Sequence, residues 1–250
     1  MTGFIPFFKK ELKEQFRTHR LLIVGGILLF FGLTTPLLLK YLPQIIELSG
    51  QTVPVDIPPP TAVDSLASYA GTISQIGVLI AVLIAMGSIA NEIRSGAAVI
   101  ILSKQITRAS FVSAKLIAMS ITFLISLTLA AFFCFAYTVW LIGTADALAF
   151  LELNLLLAVF LVFCLAVTVL FSSLFRSSLA AGGIAIGVII AQGLLSTAPV
   201  IGNFLPGKLL GWGTGLFTTG NSYWWALAVA CSAIVLCVYF AQRILRSKEL

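Results

Sequence analysis

Residues 151–174 read LELNLLLAVFLVFCLAVTVLFSSL, and their single charge, Glu152, stands next to the first residue. A helix rising about 1.5 Å per residue crosses the roughly 30 Å of bilayer hydrocarbon with such a run. Five other apolar runs have comparable length, at about 21–39, 69–91, 116–142, 179–198 and 223–242. Six spans use over half of the 250 residues and leave loops too short for a soluble domain. Composition agrees: 60% of residues are hydrophobic and 10% charged, against about 25% charged in a soluble domain. We therefore expect an all-α polytopic membrane protein, 1–250 forming a single transmembrane domain.

The charges are sorted across these spans. If each run crosses once, Lys9, Lys10, Lys13, Arg17, Arg20, Arg94, Lys104, Arg108, Lys115, Arg176, Arg243, Arg246 and Lys248 share one side. Only Lys40 and Lys208 face the other. Lysine and arginine bias marks the cytosolic side, so both termini are expected there, in a plasma-membrane protein. The acids are not sorted in this way, and the rule does not concern them. The net charge of +6 is explained by basic loops facing an anionic leaflet and needs no nucleic acid partner. The apolar run after the basic N-terminus has no small-residue cleavage site, unlike a secretory signal. Cys134, Cys164, Cys231 and Cys237 fall within spans, form no CxxC pair and read as packing residues, with no metal site.

Residues 4–17 read as an amphipathic helix lying in the membrane interface, the alternative being a cytosolic cap packed on protein. Phe4, Ile5, Phe8, Leu12 and Phe16 share an arc of about 120°, with Lys10, Lys13 and Arg17 roughly opposite. Phe7 falls off that arc. Pro36 places a bend near the outer end of the first span, beyond which helix continues to about Ser49. The stretch VPVDIPPP, 53–60, reads as a stiff external connector. Gly183 and Gly187 give a GxxxG spacing, suited to close helix approach inside the chain or, alternatively, at a dimer seam. Residues 199–221 are too apolar for an ordinary loop and too interrupted by Gly and Pro for a span. A broken, re-entrant external segment fits them. Within it Gly202–Lys208 matches GxxxxGK, but Leu209 follows where a phosphate loop needs Ser or Thr, and no strand precedes it.

The remaining loop of size follows the second span. It runs from Asn91-Glu92-Ile93-Arg94-Ser95-Gly96 through Ala97–Ser103 to Lys104-Gln105-Ile106-Thr107-Arg108, with Lys115 further on. An apolar centre flanked by cations calls for a membrane surface or a protein partner. With the basic N-terminal helix, six spans and the broken segment, the chain resembles the ABC-2 type permeases, membrane subunits of ABC exporters. Their loop begins with an acid, passes a Gly, runs through Leu-rich residues and ends on a Ser/Thr-Arg step before a Lys. Glu92, Gly96, Ile101-Leu102-Ser103, Thr107-Arg108 and Lys115 match it here, with Gln105 where the family usually has Pro.

The resemblance implies that 92–110 is a cytosolic coupling segment seated in a separate ABC ATPase. Glu92, Arg94, Gly96, Ile101, Leu102, Lys104, Thr107 and Arg108 would carry the coupling. It also implies two permeases, identical or paralogous, around a central path with two ATPases beneath. ATP and Mg would be held by those ATPases, with no catalytic residue and no cofactor on this chain. Ser74, Gln75, Ser126, Thr128, Thr168 and Gln192 are candidates to line a path, the alternative being that each bonds its own helix backbone. Phe132, Phe133, Phe135, Phe160 and Phe163 suit an apolar cargo or lipid contact equally. Alternative functions stay open: an ATPase-coupled scaffold or mechanotransmitter that transports nothing, and a secondary transporter. The latter is disfavoured because no span holds an ionisable residue centrally and no inverted repeat is visible. A membrane enzyme or haem carrier is disfavoured because His19 is the sole histidine.

Overall fold

Span ends in this chain are written in short polar side chains. In the computed structural model Thr61 opens one helix with a reciprocal capping box. Its hydroxyl accepts from the Asp64 N–H at 3.2 Å, and the Asp64 carboxylate accepts from the Thr61 N–H at 2.9 Å. Thr107, Asp146 and Ser177 cap three later helices in the simpler way, accepting from backbone N–H groups two or three residues on. The structure describes residues 4–48, 59–97, 107–199, 201–217 and 222–247. Among them the chain is helical and contains no strand.

The order is α1 (Phe4–Arg17), α2 (Arg20–Leu48), α3 (Ala62–Ala85) and α4 (Ala90–Arg94). Then come α5 (Arg108–Leu141), α6 (Ala147–Leu174) and α7 (Ser178–Leu195). A 3-10 turn (Ile201–Phe204), α8 (Lys208–Gly215) and α9 (Trp224–Ser247) complete it. Six stretches are long and apolar enough to cross a bilayer: Arg20–Ile46, Ala62–Arg94, Arg108–Leu141, Ala147–Leu174, Ser178–Leu195 and Trp224–Ser247. They coincide with the six runs read from sequence and extend most of them by several residues.

α6 is the centre. It packs against α3, α5, α7, α8 and α9, and Leu153, Leu157, Leu161 and Leu165 along one of its faces are fully buried. Lipid tails are as apolar as leucine, so close packing and interhelical hydrogen bonds, rather than water exclusion, select this arrangement. The Tyr69 hydroxyl donates to the Asn154 side-chain oxygen at 3.0 Å, joining α3 to α6. Ser65 and Thr138 hydroxyls meet at 3.1 Å, joining α3 to α5. At Gly32 a Cβ would lie 3.0 Å from the Ala130 carbonyl oxygen, so glycine is what lets α2 lie against α5.

α2 runs through Pro36 and Pro43 without ending. Thr35, just before Pro36, donates its hydroxyl to the Phe31 carbonyl at 2.7 Å within the same helix. The second span is broken, with α3 stopping at Ala85 and α4 starting at Ala90. Ser172 of α6 fills the gap. Its hydroxyl donates to the Met86 carbonyl at 2.8 Å and accepts from the N–H groups of Ile89 and Ala90 at 3.1 and 3.0 Å.

Two sequence expectations are corrected. The face of α1 that meets protein is a stripe at four-residue spacing, Phe7, Glu11 and Gln15, all three buried. Phe7, which lay off the apolar arc, is thus a docking residue, while Ile5 and Phe16 on the arc are exposed at 63% and 53%. α1 therefore has three faces: one for protein, one apolar and outward, and one cationic. The second correction concerns α7. Gly183 and Gly187 have nothing within 4 Å of where a Cβ would stand, whereas at Gly182 a Cβ would lie 2.8 Å from the Met86 sulfur. The close contact inside the chain is made one residue earlier, and the GxxxG pair faces outward.

Between α7 and α9 the broken segment forms the 3-10 turn and α8, with Leu209 and Trp212 buried against neighbouring helices. Gln192 accepts from the Gly207 N–H at 3.0 Å, tying that segment back to α7. Most of the 53–60 stretch lies outside the described residues.

Candidate functional site

Lys115 stands in the third turn of α5 and is 4% exposed. A lysine ammonium there must find anions or lose its charge. It finds two, Glu92 of α4 at 2.7 Å and Glu11 of α1 at 3.1 Å. Glu11 is 3% exposed and also meets Lys10 at 2.9 Å, which reaches Glu14 at 2.9 Å. The result is a chain of alternating charges, Glu92, Lys115, Glu11, Lys10 and Glu14, crossing from the segment after the second span to the N-terminal helix.

Aromatic rings floor this chain. Phe7 stacks on Phe111 with centroids 5.5 Å apart. Lys10 lies 5.4 Å from the Phe7 centroid and Lys115 5.3 Å from that of Phe111. Each cation thus has carboxylate and ring together. Burial opposes the charge of Lys10, but Glu14 and Glu11 outweigh it and hold the ammonium well above the ordinary lysine value. Burial likewise opposes the Glu14 carboxylate, and the Lys10 bond outweighs it, leaving that carboxyl below its ordinary range. The buried Glu92 Oε2 and Gln15 Oε1 have no hydrogen-bond donor among the described residues.

The coupling residues divide. Glu92 faces inward to Lys115, while Arg94 is exposed. Gly96 takes φ +73° just past the end of α4, a conformation that favours glycine and lets the chain turn away. Thr107 caps α5. Arg108 donates to the Arg246 carbonyl at 2.7 Å, fastening the start of α5 to the end of α9. Ile101, Leu102 and Lys104 lie outside the described residues. The N-terminal helix, the start of α5, α4 and the end of α9 thus meet at one end of the bundle. This is the set of segments that the charge sorting placed on a single side.

The six path candidates are not brought together. Ser74, Ser126, Thr128 and Thr168 donate to backbone carbonyls three or four residues back in their own helices, Gln75 is exposed, and Gln192 holds Gly207. Of these, Thr128 lines an apolar cavity of about 310 Å³ between α5 and α6.

Sequence reasoning named Glu92 and Lys115 but missed Glu11, the second acid on Lys115. The available signal was a lysine at the head of an apolar span, which demands acids near it, and Glu11 is one of four on that side.

A family model described as ABC-2 family transporter protein matches residues 5–211. The chain is also 23% identical over 248 residues to a Bacillus subtilis (strain 168) protein named "Uncharacterized transmembrane protein YxlG", with 96% of each chain covered. The residues matched by the family model include nearly all of α1, the first five spans, the ion cluster's Glu11, Glu92 and Lys115, and the first half of α8. The chain therefore belongs to the ABC-2 family of transporter proteins, as a multi-pass permease subunit.

Proposed function

We propose that this permease works in an ATP-driven exporter of the plasma membrane, with both termini cytosolic. The family implies a partner ATPase in general terms. In our reading two such ATPases sit beneath two permeases, which are copies of this chain or paralogues. They hold the ATP and Mg, and their closure presses on segment 92–110. The observation that carries this reading is the buried Glu92–Lys115–Glu11 link. Glu92 opens the segment that meets the ATPase, Lys115 belongs to the third span, and Glu11 to the helix at the membrane surface. Buried ion pairs fix register and orientation rather than adding much net stability. A push on the segment would therefore move span and surface helix together, switching the path between inward and outward access. The outward GxxxG face of α7 supports pairing with a second permease.

The test is co-purification in mild detergent with the ABC ATPase encoded nearest this gene. Wild type should retain it, and a variant with Ile100, Ile101 and Leu102 changed to Asp should not. Failure of the wild type to retain any ATPase would remove the basis for the exporter. A mechanotransmitting role without transport is favoured by one observation, the scattering of the six polar path candidates. ATP-dependent uptake into inverted vesicles separates it from export.

A further inference from the structure

At the opposite end of the bundle, a carboxylate stands in an apolar, aromatic recess. Glu152 is in the second turn of α6 and is exposed. It lines a cavity of about 340 Å³ with Trp212 of α8 and Trp224 of α9, the remainder being Leu155, Leu156, Val159 and Leu227. The exposed Trp224 and Trp225, at 67% and 70%, mark this level as a membrane–water interface. Trp212 and Trp224 meet nearly edge to face, centroids 5.2 Å apart. Trp212 is 6% exposed, and its indole N–H has no acceptor among the described residues.

A carboxylate at the edge of hydrocarbon calls for a cation. Among the described residues Glu152 forms no ion pair. The basic residue of α8, Lys208, lies over the Tyr223 ring, 5.2 Å from its centroid. A negative group in a recess lined by two indoles, leucine and valine suits an ammonium ion carrying an aliphatic chain.

We infer that Glu152, Trp212 and Trp224 form a binding site for the ammonium headgroup of an amphiphile at the membrane interface. The carboxylate balances the charge, the indoles take the ammonium hydrogens or methyls, and the aliphatic lining takes the first carbons of the tail. The headgroup can belong to a resident aminophospholipid or to a cationic amphiphile that the protein handles. The site requires no ATPase partner, so its test is independent of the exporter reading.

The test uses the full chain in nanodiscs of phosphatidylglycerol, titrated with octyltrimethylammonium while tryptophan emission is followed. Octyl glucoside serves as the uncharged probe. Wild type should show a saturable change with the ammonium probe alone. Glu152→Gln should bind about tenfold more weakly, the scale of one lost ionic or cation–π contact. Trp224→Leu, at a position 67% exposed, should lose a similar amount. Equal binding by wild type and either variant, or an equal response to octyl glucoside, would overturn the site. Adding phosphatidylethanolamine to the discs identifies the source. Suppression of the probe signal assigns the site to resident lipid, and an unchanged signal assigns it to a cationic amphiphile arriving from solution.

Discussion

The hydroxyl of Ser172 on α6 bridges the interruption between α3 and α4, taking the Ile89 N–H at 3.1 Å and giving its own proton to Met86. Two backbone donors that a continuous helix would have satisfied itself thus depend on one side chain 83 positions away. Ser172→Ala should leave those N–H groups unpaired and cost about 1–3 kcal/mol. A lowered melting temperature in detergent checks it, and Ser172→Thr should recover part of the loss.

Lys115→Met should be among the most damaging changes. It leaves Glu11 and Glu92 without their common cation, and losing one partner of a buried pair costs about 3–5 kcal/mol. The triple variant Lys115→Met, Glu11→Gln, Glu92→Gln should regain much of that stability, because no buried charge is then stranded. If the triple variant is stable yet the ATPase activity of the complex no longer responds to the permease, the cluster serves coupling. Full retention of that response would argue against it.

Gly182 and Gly183 are neighbours with opposite expectations. Gly182→Leu drives a side chain into Met86 and should cost about 1–3 kcal/mol by overpacking. Gly183→Leu meets nothing inside the chain and should melt as wild type does. Cross-linking yield between two copies is the second reading, since the Gly183 change should lower it if α7 forms the seam.

The Lys10–Glu14 pair predicts a pH window. The lowered carboxyl means its contribution is complete above the ordinary glutamate value of 4.5 and lost as pH falls through the native value. The raised ammonium means its contribution is complete below the ordinary lysine value of 10.5 and lost only above that. The difference in melting temperature between wild type and Glu14→Gln should be flat between those values and shrink as the pH drops below 4.5. A difference that instead grows in acid would refute the pairing.

The six spans were legible because an apolar run of some 20 residues is a local fact. What was not legible depended on which face of a helix meets which neighbour. Gly182 and Gly183 are equally small, and only the rotation of α7, 100° per residue, decides which one touches Met86. Phe7 looked misplaced on α1 because the arc had been drawn for a helix with two environments, and this one has three. Glu11 was not singled out because its partner, Lys115, is 104 residues further along. Glu92 was legible as a position in a motif, but not as half of an ion pair.

That separation orders events in time. Glu11 is made early and has no lysine of the third span to meet until a further 104 residues exist. At about 5–20 residues per second the wait is on the order of ten seconds. During it α1 carries its docking face, Phe7 and Glu11, without the surface it fits. The N-terminal helix is therefore seated late despite being synthesised first. A nascent chain that fails to insert its third span leaves that face uncovered.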